Sequence, residues 1–86
     1  MNINELIAII KKKLVSNIAI ENIQIEDKSF LHKNHKGNQK GRFHLKILIK
    51  SKELKKMNKI ESNKKIYSVL DDEIKNFIHS IQILIS

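Results

Sequence analysis

The sequence has 86 residues, a formal net charge of +8 and no cysteine. A chain of this length has room for one hydrophobic core, so we predict a single domain over residues 1–86. Without cysteine it forms no disulfide and supplies no thiolate ligand. Its apolar runs fall short of the ~20 residues that a membrane-spanning helix needs, and the amino terminus lacks a signal pattern. We therefore expect a soluble cytoplasmic protein that does not bind membranes and is a monomer in isolation.

The positive charge is concentrated in the middle of the chain. Residues 32–65 carry 12 basic and 2 acidic side chains, whereas the remainder carries 5 basic and 7 acidic ones. Such a surface suits phosphate or an acidic partner. However, 16 of the 17 basic residues are lysines, and bidentate recognition of bases and phosphates relies mainly on arginine. The lysines alone predict attraction that is sensitive to salt and indifferent to sequence.

The amino-terminal segment has the pattern of a helix. Asn2 or Asn4 can cap its first turn, and Lys11–Lys13 lie near its carboxyl end, where cations suit the helix dipole. Apolar residues recur on one face at helical spacing. These residues are Ile3, Leu6, Ile7, Ile10 and Leu14.

Two strands are predicted to follow, over Ile18–Asp27 and Arg42–Lys50, because both segments are rich in β-branched or alternating apolar residues. In the first, Ile23 and Ile25 alternate with polar residues. The inward residues of the second are Phe43, Leu45, Ile47 and Ile49. The polar stretch between them, His32–Gly41, contains both glycines and predicts a long hairpin loop, a kind of segment that often carries function.

After Ser51 we predict a short helical turn, a longer helix and a third strand over Ile78–Ile85. The apolar stripe of the longer helix comprises Ile60, Ile66, Tyr67, Leu70 and Ile74. In the third strand, His79, Ile81, Ile83 and Ile85 alternate on one side. A helical crossover makes the last two strands parallel, while the first pair is antiparallel. The prediction is an α+β fold of order α-β-β-α-α-β, with helices on one face of a three-stranded mixed sheet.

Three stretches of the sequence form recognisable motifs: Asp27-Lys-Ser29-Phe-Leu-His32, His44-Leu-Lys-Ile-Leu-Ile-Lys-Ser51 and Ile78-His79-Ser-Ile81. Together with the order of the elements, they resemble the BolA family, whose fold is similar to the type II KH domain. The corresponding family motifs are Asp-Glu-Ser-x-x-His, His-Phe-Lys-Val-Val-x-Val-Ser and Val-His-Ala-Leu. The resemblance covers essentially the whole chain. Two departures are Ser62-Asn63-Lys64 in place of the family's Arg-His-Arg and Leu54-Lys-Lys56 in place of its Phe-x-Gly.

The resemblance implies a metal site that is shared with another protein. Members of the family partner monothiol glutaredoxins, with a 2Fe–2S cluster bridging the two proteins. On that basis His79 is one ligand, and His32, or alternatively His35, is the loop ligand. The glutaredoxin cysteine and a glutathione thiol supply the rest. Because imidazole can replace two thiolates on one iron, a chain without cysteine can contribute only that half, and no cofactor is expected on the isolated chain.

Each histidine also has a purely structural interpretation. His79 is predicted to lie on the same side of its strand as Ile81. Without the family pattern, it would therefore be interpreted as a partly buried structural histidine. His32 and His35 can be solvated loop residues, because His-x-x-His alone lacks further ligands. His44 alternates with the inward residues of its strand and is expected to be structural or part of a partner surface, not a ligand.

The leading hypothesis from the sequence is therefore an adaptor for an iron–sulfur cluster. The alternative is a nucleic-acid-binding transcription regulator that uses the KH-like sheet and the lysines Lys55, Lys56, Lys59, Lys64 and Lys65 to bind DNA or RNA. A KH domain clamps nucleic acid with a Gly-x-x-Gly loop between helices, and neither glycine of this chain lies there. A third hypothesis is a ribosome- or RNA-associated assembly factor.

The sequence contains no pattern for catalysis. The chain lacks a nucleophile–base pair and a phosphate-binding glycine loop, so we do not expect an enzyme. Asp71-Asp72-Glu73 could bind a hard cation or could simply be a solvated helix end.

Overall fold

The computed structural model describes residues 2–29 and 43–86, which form an α+β fold around a three-stranded sheet. The predicted loop, with His32 and His35, lies outside these residues. Within them, no helix combines the length and apolar character that crossing a bilayer demands. The elements are α1 Ile3–Asn17, β1 Asn22–Asp27, β2 Phe43–Lys50, α2 Lys52–Lys55, α3 Lys59–Val69, α4 Asp71–Asn76 and β3 Ile78–Ile85.

Helix α1 begins as predicted and packs one face on the sheet. The Asn2 side chain accepts the N–H of Glu5 at 2.8 Å and so satisfies a donor that the first turn leaves free. Leu6, Ile10 and Leu14 are fully buried along that face. The lysines at 11–13 lie before the last turn, which contains no basic residue, so their predicted interaction with the helix end is wrong.

The sheet has the predicted directions and the order β1-β2-β3. Strand β1 pairs antiparallel with β2, and β2 pairs parallel with β3. Leu45, Ile47 and Ile49 of the central strand are buried on the inner face, as their alternation predicted. Among the residues that the structure describes, β2 has a neighbour on both sides, and β1 and β3 are the edge strands.

Strand β1 is shorter than predicted, because Ile18–Glu21 does not belong to it. The Ile18 N–H donates to the carbonyl of Leu14 at 2.9 Å and ends α1, and the Ile18 side chain is buried. Its apolar character therefore serves the helix end and the core, not a strand pair. The observed end of β1 at Asp27 is as predicted.

The predicted longer helix is divided at Leu70 into α3 and α4. Ile66 and Leu70 of the predicted stripe are buried and Ile74 is half-buried, but Ile60 is 69% exposed and Tyr67 is 41% exposed. The buried face of α3 runs through Ser62 and Ile66 instead. Ser62 can take an inner position because its hydroxyl donates to the Lys59 carbonyl at 3.1 Å.

Candidate metal-binding site at the start of the last strand

A β-bulge lies at His79. Phe43 pairs with Ile78 and the next residue of β2, His44, pairs with Ser80, so His79 is an extra residue with no partner on β2. An extra residue changes the alternation of side chains along a strand. Ile78 is therefore buried, His79 is exposed, and Ile81 again turns inward. The prediction that His79 shares the inward side with Ile81 is wrong, as is its interpretation as a partly buried histidine.

The imidazole of His79 lies against that of His44. Their ring centroids are 4.8 Å apart and the ring planes are tilted by 59°. His44 is only 6% exposed, and its Nδ1 lies 2.6 Å from the Ser80 hydroxyl oxygen, a hydrogen bond whose donor depends on the tautomer. The predicted structural role of His44 agrees with this burial. The buried His44 ring supports the exposed His79 ring beside it.

Both ends of the segment that contains the loop histidines meet at this place. The N–H of His44 donates to the Ser29 hydroxyl at 3.0 Å, and the N–H of Lys28 donates to the His44 carbonyl at 2.7 Å. At the other end, the N–H of Phe43 donates to the carbonyl of Phe77 at 2.9 Å. Residues 29 and 43 are thus fixed beside the start of β3.

A groove of about 350 Å³ runs along β2 and β3 from this point. Its charged side chains are the lysines Lys28 and Lys46, of which Lys28 pairs with Glu26 at 3.3 Å. Residues 2–29 and 43–86 contain no group of three or more histidine, cysteine or carboxylate side chains that could hold a metal ion. The described part of the site therefore offers one exposed imidazole and positive charge, and any further ligands must come from elsewhere.

The acidic run at 71–73 matches the predicted solvated helix end only in part, because Asp71 and Asp72 are exposed but Glu73 is buried. It forms the first turn of α4, where carboxylates suit the helix dipole. Asp71 pairs with Lys75 at 3.0 Å, and Glu73 is buried and bonded to Lys13 at 2.7 Å. The Glu73 contact links α4 to α1, whereas the Asp71 contact lies within α4.

The lysines predicted for nucleic acid surround the connection between α2 and α3. Lys55, Lys56, Lys59 and Lys64 are exposed. Lys65 instead lies 3.2 Å from a carboxylate oxygen of Glu53. Four of the five side chains therefore form an open basic surface.

The family model for BolA-like protein matches residues 14–86. The chain belongs to the BolA family. The match includes both strands that form the bulge, and the α+β fold with a three-stranded mixed sheet is that of BolA domains.

Three relatives illustrate the similarity of this BolA-family chain. "DNA-binding transcriptional regulator BolA" of Haemophilus influenzae is 29% identical over 73 residues, which span 85% of this chain and 68% of the relative. BolA1 from Arabidopsis thaliana has a TM-score of 0.77 at 26% identity, and the BolA domain of SufE1 from the same plant has a TM-score of 0.76 at 25% identity. Both alignments cover 92% of this chain and 87% of the other. That the BolA-family chain is a single domain and not an enzyme stays a prediction.

Sequence reasoning missed the hydrogen bond between His44 and Ser80 and the ion pair between Lys13 and Glu73. A signal for the first was available, because both residues are polar and alternate with inward residues on neighbouring strands. The second had none, because its partners are 60 positions apart. The bulge itself was also invisible, since His79 continues the alternation of the isoleucines after it.

Proposed function

We propose that the chain is an adaptor that shares a 2Fe–2S cluster with a monothiol glutaredoxin, in iron–sulfur trafficking or iron regulation. His79 supplies one imidazole, and His32 or His35 supplies the other. The glutaredoxin cysteine and a glutathione thiol complete the site. The observation that carries this proposal is the exposure of the His79 side chain at the bulge.

The donor chemistry of the chain fits half of such a site. Thiolates are the usual ligands of iron–sulfur clusters, and two imidazoles can replace two of them on one iron. This chain has four histidines and no cysteine. It can therefore provide the imidazole pair but not the thiolates, so a partner is part of the proposal.

The surroundings of His79 suit ligation by that side chain. Its neighbour His44 is buried and held by Ser80, so the exposed ring packs on a fixed support. Packing against a fixed ring limits the orientations that the His79 side chain can adopt. Lys46 adds positive charge beside the site, which complements the carboxylates of glutathione.

Between the two loop candidates, chain connectivity favours His32. Ser29 is hydrogen-bonded to the backbone of His44. His32 follows Ser29 by three positions and His35 by six. The shorter tether costs less conformational entropy when the loop residue is held at the site.

The test is to mix the purified chain with a monothiol glutaredoxin, glutathione, ferrous iron and sulfide. We expect a heterodimer by size-exclusion chromatography, with a visible absorption and circular dichroism spectrum unlike that of the glutaredoxin homodimer. His79→Ala should abolish this spectrum, because an iron loses an imidazole ligand. The same measurement on His32→Ala and His35→Ala identifies the loop ligand.

The matched control is Gln24→Ala, since Gln24 is exposed on β1 and does not line the groove beside the site. It should leave the spectrum unchanged. An unaltered heterodimer spectrum for His79→Ala would show that His79 is not a ligand. Circular dichroism in the far ultraviolet checks that each variant is folded.

A nucleic-acid-binding regulator is the second candidate. It is supported by the name of the Haemophilus influenzae relative and by the exposure of Lys55, Lys56, Lys59 and Lys64. The site has no arginine among the described residues, so contacts to phosphates and not to base edges are expected.

This second candidate predicts a steep dependence of DNA affinity on salt. Changing these four lysines to glutamine should reduce the slope of log affinity against log salt by about 1 for each phosphate that a lysine no longer neutralises. Lys11→Gln with Lys12→Gln is the control, because both side chains are exposed on α1. Equal slopes for the two sets, or no binding at physiological salt, would exclude a dedicated site.

A further inference from the structure

A second groove of about 350 Å³ lies at the opposite end of β3 from His79. The two ends are about 20 Å apart, at ~3.3 Å per residue. Its walls come from α2, α3 and the connection between them on one side and from β3 on the other. The residues are Leu54, Lys55, Met57, Lys59, Ser62, Asn63, Ile83, Leu84 and Ile85.

The groove runs along the outer edge of β3. Side chains of a strand alternate between its faces, so Ile83 and Ile85 lie on the opposite side from Leu84. All three nevertheless line the groove, and Leu84 is 42% exposed. A groove that touches consecutive residues follows the backbone of the strand, not one face of the sheet.

The backbone of this edge is available for pairing. Ser86 directs its N–H to the carbonyl of Ile49 at 2.8 Å, and its own carbonyl accepts the N–H of Ser51 at 3.1 Å. Backbone groups alternate in direction along a strand, so those of Ile83 and Ile85 point away from β2. Within residues 2–29 and 43–86 the sheet has no strand beyond β3. These amides and carbonyls can bind an added strand.

The two edges of the sheet differ in their protection. Proteins commonly guard a free edge with charged side chains or with a short strand. Strand β1 has six residues and includes Glu26 and Asp27, whereas β3 has eight residues and no charged side chain. The edge of β3 is therefore the one suited to strand addition.

We propose that this edge binds an extended acidic peptide segment of a partner protein by strand addition. The peptide backbone pairs with Ile83 and Ile85. On the peptide face that points to the helices, aliphatic side chains enter the groove over Leu54 and Met57, and carboxylates at both ends of the same face meet Lys55 and Lys59. Electrostatic repulsion disfavours a second copy of the chain as the occupant, because that copy would bring a net charge of +8 and the same lysines to the interface. Nucleic acid lacks the amide groups that match a strand edge.

The test uses a fluorescein-labelled heptapeptide, titrated with the full chain by fluorescence anisotropy. Its positions 1 and 7 are glutamate, positions 3 and 5 are isoleucine and the others are glutamine, so that the glutamates and isoleucines share one face of the strand. We expect saturable binding and slower amide hydrogen exchange at Ile83 and Ile85. A version of the peptide with N-methylated backbone amides should lose binding, because it cannot donate to the edge. His79→Ala should bind the peptide normally, so this test is independent of the proposed cluster site.

The double variant Lys55→Glu, Lys59→Glu should bind the acidic peptide about tenfold more weakly or worse, because two rim charges are reversed. Lys11→Glu with Lys12→Glu is the matched control, with the same change of net charge on exposed α1 residues, and should bind within about threefold of the parent. All four positions are exposed, so both variants should fold.

Four results would overturn the proposal. The first is no binding of the peptide, and the second is equal binding of its N-methylated form. The third is exchange at Ile83 and Ile85 that slows with protein concentration alone, which would make a second copy the occupant. The fourth is protection of the same amides by an oligothymidylate but not by the peptide, which would assign the groove to nucleic acid.

Discussion

Glu73 is the one buried carboxylate in the described part of the chain. Its Oε2 lies 2.7 Å from the Lys13 ammonium, whereas its Oε1 has no hydrogen-bond partner among those residues. A buried charge is costly unless it is paired, so Glu73 depends on this one lysine. The hydrogen bond to Glu73 is the main cause that raises the pKa of Lys13 above its ordinary value of 10.5.

This pair predicts a stability difference that depends on pH. Lys13→Met should lower the free energy of unfolding at neutral pH, because it leaves Glu73 buried without a cation. Since the pKa of Lys13 is raised on folding, its contribution is fully present below pH 10.5 and is lost as the pH rises through the folded-state value. The difference between parent and variant should therefore shrink above pH 10.5.

Urea unfolding of both proteins from neutral pH to about one unit above the ordinary lysine pKa measures this difference. Lys12→Met is the control, because Lys12 is exposed in the same helix. A difference that stays constant with pH would mean that the Lys13 ammonium does not stabilise the fold.

At the scale of elements, Ser51 joins three parts of the chain. Its hydroxyl donates to the Ala19 carbonyl at 2.7 Å, in the connection between α1 and β1, and accepts the N–H of Leu54 at 3.1 Å, which caps α2. Its backbone N–H donates to Ser86 at 3.1 Å, beside the end of β3. The side chain is fully buried, so water cannot replace these bonds.

Ser51→Ala should therefore lower the free energy of unfolding by about 1–3 kcal/mol, because the α2 cap is removed and the Ala19 carbonyl is left without its partner. Chemical denaturation measures the change. Ser68→Ala, at an exposed position of α3, should change stability by less than about 0.5 kcal/mol. Similar values for the two variants would show that the Ser51 hydroxyl does not hold these elements together.

At the scale of the whole molecule, the charged surface is divided by the fold. The Lys13–Glu73 pair joins α1 to α4. It thus brings together two helices from the amino-terminal and carboxyl-terminal parts of the sequence, which carry little net charge. The lysines of α2 and α3 remain exposed beside the outer edge of β3, apart from Lys65. One strand thus connects the proposed metal ligand at its start with the basic groove at its end.

The sequence by itself determined the order of the elements, the directions of the strands and the inward face of β2. The spacing of apolar residues predicts the elements and their inward faces, and the rule for crossover connections predicts the strand directions. It also determined that the chain has no thiolate to offer a metal. The family motifs identified His79 as a candidate, but they contain no information about its exposure.

Only the tertiary structure decided the bulge at His79, the break at Leu70, the burial of Glu73 and the groove beside β3. Each depends on residues that are distant in sequence. The bulge exists because Ile78 and Ile81 both turn inward while β2 contributes one residue fewer to the pairing. A local pattern specifies which side chains prefer the core, but the register between strands decides which of them reach it.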